Sequence, residues 1–136
     1  MIKDFRKPAG YVTESLTGLV QSNINEDRDL LEKVNTIFVA EKSDEIIGVI
    51  IAGHDGRRGF IYHTAVNSDY RNQGIATKLV DAAMAALKAN GINKVALVVF
   101  DRNEVGNAFW EKIGFTVRED LVYRNKAIAK FVRIDT

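Results

Sequence analysis

The order of apolar patterns along the chain predicts an α/β (α+β) domain, a mixed sheet of about six to seven strands with about four helices on its faces. Three observations carry this. β-branched runs of strand length lie at residues 36–42, 45–53 and 60–66. A helical stripe, Ile75, Leu79, Val80, Ala83 and Leu87, follows them directly. A further strand-like run and a shorter helical stripe then alternate toward the C-terminus.

Taken in order, a short N-terminal strand leads into two helices, YVTESLTGLVQS over 11–22 and a second over 25–34, with Leu16, Leu19, Val20, Leu30, Leu31 and Val34 at helical spacing. TIFVAEK and EIIGVIIAG are strands separated by Ser43-Asp44. The second ends at HDGRRG, where Asp55-Gly56 signals a hairpin, so FIYHTAV returns beside it. His54 and Asp55 are expected to shape that turn. The helix carrying the Ile75 stripe stops at Asn90-Gly91. NKVALVVF, 93–100, reads as a buried strand. EVGNAFWEKIGF reads as a short helix with Val105, Phe109 and Ile113 on one side, Asn103 as N-cap and Gly114 just past its end. FTVREDLVYRN and AIAKFVRI complete the order as two strands, antiparallel around Asn125-Lys126.

Composition limits the functions open to such a domain. With 136 residues, 46% of them apolar, the chain can bury a core without staples, and no repeat or linker divides it, so residues 1–136 are read as one domain. Nineteen Lys and Arg against eighteen Asp and Glu leave a formal charge of +1 with no block of like charge, which gives no footing to a nucleic-acid or membrane partner. The absence of cysteine removes disulfides, thiolate metal ligands and a cysteine nucleophile, and no metal is expected. A cytoplasmic location is the expectation, since MIKDFRKPAG lacks a signal-peptide core and IIGVIIAG is too short to span a bilayer.

The stretch RNQGIATKLVDAAMAAL, 71–87, carries the chemistry. A helix start leaves backbone N–H groups unpaired and partially positive, so it binds anionic oxygens. Small residues at Gly74 and Ala76 let a phosphate approach the N–H groups of 73–77, with Arg71 and Lys78 as counter-charges. A plain helix start that packs near a strand accounts for the same residues. The pattern alone is weak.

YHTAVNSDYRNQGIATKLVDAA resembles the acetyl-CoA-binding motif of the GNAT N-acetyltransferase superfamily, and DRNEVGNAFWEKIGF resembles its second conserved segment at the matching separation. AEKSDEIIGVIIAG is similar to the family's central hairpin, so the resemblance runs from about Phe38 to Tyr123. HDGRRG with its following strand resembles a small bacterial YpeA-like subgroup. The resemblance implies a mostly antiparallel sheet and acetyl-CoA as co-substrate. It implies that Arg71, Gln73, Gly74, Ile75, Ala76 and Thr77 wrap the pyrophosphate. Thr64, Ala65 and Val66 match the strand whose backbone pairs with the pantetheine arm and donates an N–H to the thioester carbonyl, a task that needs no particular side chain. Asn103 matches an asparagine near the pantetheine, though an ordinary helix cap explains it equally. Phe109 matches the apolar position after it, with a core role as the simpler account.

Two departures weaken the catalytic side. Trp110 stands where the family commonly has a tyrosine that protonates the departing thiolate, and an indole N–H is no acid. Val98 stands where some members that modify protein N-termini carry a glutamate. An amine acceptor has a lysine-like pKa of about 10.4 and must lose a proton before it attacks. His63, one residue before Thr64-Ala65-Val66, is the best-placed base, although alternation leaves open whether His63 or Tyr62 faces the cleft. Tyr62 and Tyr123 are alternatives, and Tyr123 is also a candidate acid. A thiol with a pKa of about 8.5 leaves without full protonation, so losing the tyrosine does not end catalysis.

These residues point to acetyl transfer from acetyl-CoA to a small-molecule or peptide amine by direct attack in a ternary complex. Two other classes stay open: a non-catalytic acyl-CoA-binding sensor or interaction module, and a general phosphate- or nucleotide-binding domain. The acceptor's identity is not legible. Glu26, Asp27, Asp29 and Glu32 would suit a cation but read more simply as a solvated helix face. Whether the chain pairs as a homodimer is likewise open.

Overall fold

The computed structural model describes residues 2–4 and 36–129. The two expected N-terminal helices, and most of the last expected strand, lie outside the described residues. The chain divides into two compact units, one ending at Leu97 and one beginning at Val98, and each is described by itself.

The first unit is a five-stranded sheet in the order β1-β2-β3-β4-β5: β1 Ile2–Asp4, β2 Thr36–Lys42, β3 Glu45–His54, β4 Gly59–Val66 and β5 Val95–Ala96. The first three pairings are antiparallel and β4–β5 is parallel, so the sheet is mixed and mostly antiparallel, as expected. Among the described residues it has fewer than six strands, and there are two α-helices rather than four: α1 Ile75–Ala89 and α2 Glu104–Lys112.

Local chemistry explains the turns. Ser43 and Asp44 both take positive φ, 53° and 63°, the conformation a two-residue type I′ hairpin requires between Lys42 and Glu45. The β3–β4 turn is held by side chains. His54 Nδ1 accepts the Gly56 N–H at 3.0 Å, and Asp55 Oδ1 accepts those of Arg57 and Arg58 at 2.8 and 2.9 Å. The two residues expected to shape this hairpin do so.

α1 buries the stripe Ile75, Leu79, Val80, Ala83 and Leu87. It covers one face of the sheet, where a methyl built on Gly48 would meet Leu79 Cδ1 at 3.1 Å and Ile75 Cγ2 at 3.2 Å. Register pairs share a face. Ile50, Ala52 and Ile61 therefore point toward α1, and Ile37, Val39, Val49 and Ile51 point away from it. All seven are buried, so the sheet carries apolar core on both sides.

Two expected strands are corrected. Of 93–100 only Val95–Ala96 pairs among the described residues, because β-branched residues report a fitness for pairing and do not themselves supply a partner in register; Val98 is left 61% exposed. The run 115–125 forms no strand. A turn at Glu119-Asp120 interrupts it, and Arg118 donates from Nε and Nη2 to the two oxygens of Asp120 at 2.8 and 2.7 Å.

Candidate functional site

The bulge in β4 decides the orientation that alternation left open. Ile51 pairs with His63 and Ala52 with Ile61, so Tyr62 is the extra residue and the side chains on either side of it face opposite ways. His63 shares the face of Ile51, away from α1. Phe60 pairs with Gly53 on that same face, and the Tyr62 ring lies 5.1 Å from the Phe60 ring at 45°. Phe60, Tyr62 and His63 thus stand on one side of the sheet.

Thr64 and Val66 pair with Ile50 and Gly48 and turn toward α1, while Ala65 pairs with Val49 and turns away. Thr64 Oγ1 is buried and has no hydrogen-bond partner among the described residues. An orphaned hydroxyl of this kind costs free energy, so its presence calls for a reason. The parallel ladder stops at Phe60 and Ala96, and among the described residues the strand edge at Thr64–Val66 has no ladder partner on the β5 side.

From Val66 the chain passes through Asn67, whose side chain accepts the Asp69 N–H at 2.9 Å and caps a single 3-10 turn, Ser68–Tyr70. Arg71 Nε reaches back to the Val66 carbonyl at 3.3 Å and ties the loop to the strand end. Asn72 and Gly74 then take left-handed backbone, φ 64° and 75°, with Gln73 between them. Such alternation turns successive N–H groups into a concavity that receives anions. A methyl built on Gly74 meets nothing within 4 Å, so the glycine is required by its φ, and the space before α1 is open. Gln73 is exposed, and Ala76 and Thr77 are half-buried at the mouth of this space. Ile75 is buried and is a core residue.

The first unit therefore brings together His63, Thr64, Ala65, Val66, Arg71 and residues 73–77. The other sequence candidates belong to the second unit. Asn103 caps α2 by accepting the Gly106 N–H at 2.9 Å. Gly106 is needed there, because a methyl at that position would lie 2.5 Å from Asn103 Nδ2. Trp110 sits between the edges of Phe109 and Phe115, with ring centroids 5.0 and 5.2 Å away. These two ring contacts are its local surroundings. Val105, expected on the apolar stripe, is 83% exposed, and no residue of α2 is buried. Tyr123 is 71% exposed.

Sequence reasoning passed over Asn107. Its Nδ2 donates to the Phe100 and Asn103 carbonyls, both at 2.9 Å, and fastens α2 to the chain before it. An asparagine inside a helix, where it has poor propensity, was the available signal.

A cavity of about 370 Å³ lined by Met84, Ala85, Lys88, Ile92, Asn93 and Val95 lies toward the C-terminal end of α1. Ten or more residues along a helix are roughly 15 Å, so it is separate from the helix start. Among the described residues no cluster of His, Asp or Glu has metal-binding form, and no helix is long and apolar enough to cross a membrane.

The profile of the Acetyltransferase (GNAT) family matches residues 5–115. An acetyltransferase of Sodalis glossinidius is 31% identical over 109 residues, 80% of this chain and 72% of that protein. One of Pectobacterium atrosepticum is 33% identical over 96 residues, 71% of this chain but only 64% of its own length. Solved structures share the fold: an aminoglycoside acetyltransferase from an uncultured soil sample (TM-score 0.77, 19% identity, 95% of this chain and 98% of that one) and AAC(6')-Iy with a bisubstrate analogue of coenzyme A (0.76, 17%, 93% and 97%). A ribosomal-protein-alanine N-acetyltransferase of Brucella melitensis superposes comparably (0.73, 20%, 93% and 99%). At these identities the structural matches speak for the fold.

Proposed function

The chain belongs to the Acetyltransferase (GNAT) family, and from that premise we propose that it transfers the acetyl group of acetyl-CoA to the amine of a small-molecule or peptide acceptor, both substrates bound together. We place the activity in the cytoplasm and in one domain spanning residues 1–136. The observation that carries the reading is the left-handed pair Asn72 and Gly74 before α1, beside an edge of β4 that has no ladder partner among the described residues.

That arrangement suits coenzyme A. The N–H groups of 73–77 would receive the pyrophosphate, with Arg71 and Lys78 supplying positive charge. The unpaired edge at Thr64–Val66 would pair with the amides of the pantetheine arm, as an added strand pairs with a sheet edge. A backbone N–H there would stabilise the charge developing on the thioester oxygen. The Asn103 carbonyl is committed to the helix cap, which leaves its NH2 as the group for a ligand.

His63 is assigned as the base. It takes a proton from the acceptor ammonium; the amine nitrogen then bonds to the acetyl carbon, the C–S bond breaks with its electron pair leaving on sulfur, and the second proton that the nitrogen sheds on becoming an amide replaces, through solvent, the one delivered to the thiolate. On the sequence alone, Tyr123 is the proposed proton donor to that thiolate, in place of Trp110. The packed Trp110 is also the observation that favours a second reading, a domain that binds acyl-CoA without turning it over.

Gly74→Asn tests the site, because asparagine tolerates left-handed backbone yet fills the open space before α1. Calorimetric titration with acetyl-CoA should show at least about tenfold weaker binding in a folded variant. Unchanged affinity would remove the site. Thiol release from acetyl-CoA across polyamines, aminoglycosides, amino acids and peptides separates enzyme from binding module.

A further inference from the structure

We propose that Tyr62 is the acceptor-binding residue that sets specificity, its ring receiving the cationic end of an alkylammonium acceptor beside His63. The inference rests on the acetyl-transfer reading above and names the class of acceptor that site takes.

The bulge is what puts Tyr62 in position. In an unbroken strand Tyr62 and His63 would face opposite sides; the extra residue places both on the face away from α1, together with Phe60. Along that face Ile37, Val39, Val49 and Ile51 are buried, whereas Tyr62 is 46% exposed. No hydrogen bond holds its hydroxyl among the described residues. Contact with Phe60 at 5.1 Å steadies the ring, so its exposed face is presented by a paired strand rather than by a loop. The neighbour on the other side of His63 along this face is Ala65, which pairs with Val49.

The chemistry follows from the charge the acceptor brings. An alkylamine arrives protonated, and an aromatic face within about 6 Å attracts an ammonium through its quadrupole. Tyr62 holds that cation one residue from the imidazole that must accept its proton. A polycation such as a polyamine or an aminoglycoside keeps a second ammonium on the ring while the first reacts. An uncharged acceptor gains nothing from it.

The test measures kanamycin and spermidine, by calorimetric binding to the protein saturated with coenzyme A and by steady-state acetylation. Tyr62→Ala and Tyr62→Leu should weaken the bound amine and raise its KM by roughly five- to thirtyfold, with kcat changed less than about twofold. Tyr62→Phe should match the wild type, since the ring is kept. Acetyl-CoA affinity should be the same in all four proteins. Tyr62→Leu behaving like wild type, or no binding of either amine to the wild-type complex with coenzyme A, overturns the inference. Failure of the wild type to bind acetyl-CoA would instead sink the acetyl-transfer reading on which it rests.

Discussion

The unit that ends at Leu97 and the unit that begins at Val98 both carry many β-branched and aromatic residues, yet among the described residues only the first has a core. Ile37, Val39, Ile50, Ile51, Leu79 and Leu87 are each at most 2% exposed there. Beyond Val98, Val105, Val117, Leu121, Val122 and Tyr123 are 61–83% exposed, and no described residue is buried. Composition did not make the difference. Antiparallel ladders did, because each strand of the first unit gives its neighbours a fixed surface on which side chains interdigitate. The second unit is organised by local devices: the Asn103 cap, the Asn107 clasp on Phe100 and the Phe109–Trp110–Phe115 contacts. The proposed anion concavity and base stand on the packed unit, and the proposed proton donor stands on the exposed one.

Truncating one aliphatic residue in each unit should separate the two most. Leu79 is fully buried between α1 and the sheet, so Leu79→Ala should lower unfolding stability by about 2–5 kcal/mol. Val105→Ala, at an 83% exposed position, should change it by less than about 0.5 kcal/mol. Urea titration of both variants decides. Comparable losses would mean that the second unit has a core of its own.

The same contrast explains what the sequence revealed. The α1 stripe, the Asp55 hairpin and the Asn103 cap were legible because each is fixed by residues a few positions apart. The β4 bulge was not, since FIYHTAV reads as an unbroken strand and only the register with β3 exposes the extra residue. The stretch 97–100 looked like a buried strand because β-branched residues report a fitness for pairing, and whether a partner is in register is not a local property. For the site, the small residue at the helix start was legible as Gly74, but its left-handed φ, and that of Asn72, came only with the backbone.

Within the packed unit, Thr64→Val should raise stability by about 1–2 kcal/mol, because it removes a buried hydroxyl that has no partner among the described residues while keeping the branched shape of the side chain. Differential scanning calorimetry measures this. A loss of stability would show that the hydroxyl is satisfied in solution.

In the exposed unit the corresponding loss is that of a cap. Asn103→Ala removes the acceptor for the Gly106 N–H and should cost about 1 kcal/mol, read as a lower urea midpoint. Asn103→Asp should recover most of it, as aspartate caps equally well. A null result for alanine would mean that α2 is held by its aromatic contacts rather than by its first turn.

The smallest effect belongs to an exposed turn of the otherwise packed unit. The N–H groups of Arg58 and Arg57 that point at the Asp55 carboxylate hold its pKa below the ordinary 3.8. A depressed carboxyl pKa means that the unfolded chain binds the proton more readily than the folded one. The contribution to stability is therefore complete above the unfolded value of about 3.9 and is lost as pH falls through the lower folded value. Because the turn is exposed, the direct observable is the carboxyl's own titration by carbon-detected NMR. Asp55 should titrate below an unstructured aspartate, and the Arg57 and Arg58 amide shifts should move with the same midpoint. The shift should persist in high salt, since the charge of Arg57 ranks behind the two backbone hydrogen bonds as its cause, whereas an ion-pair effect would be screened. A salt-sensitive or ordinary titration would overturn the account of the turn, and the exposed part of the first unit would then be no better fixed than the second.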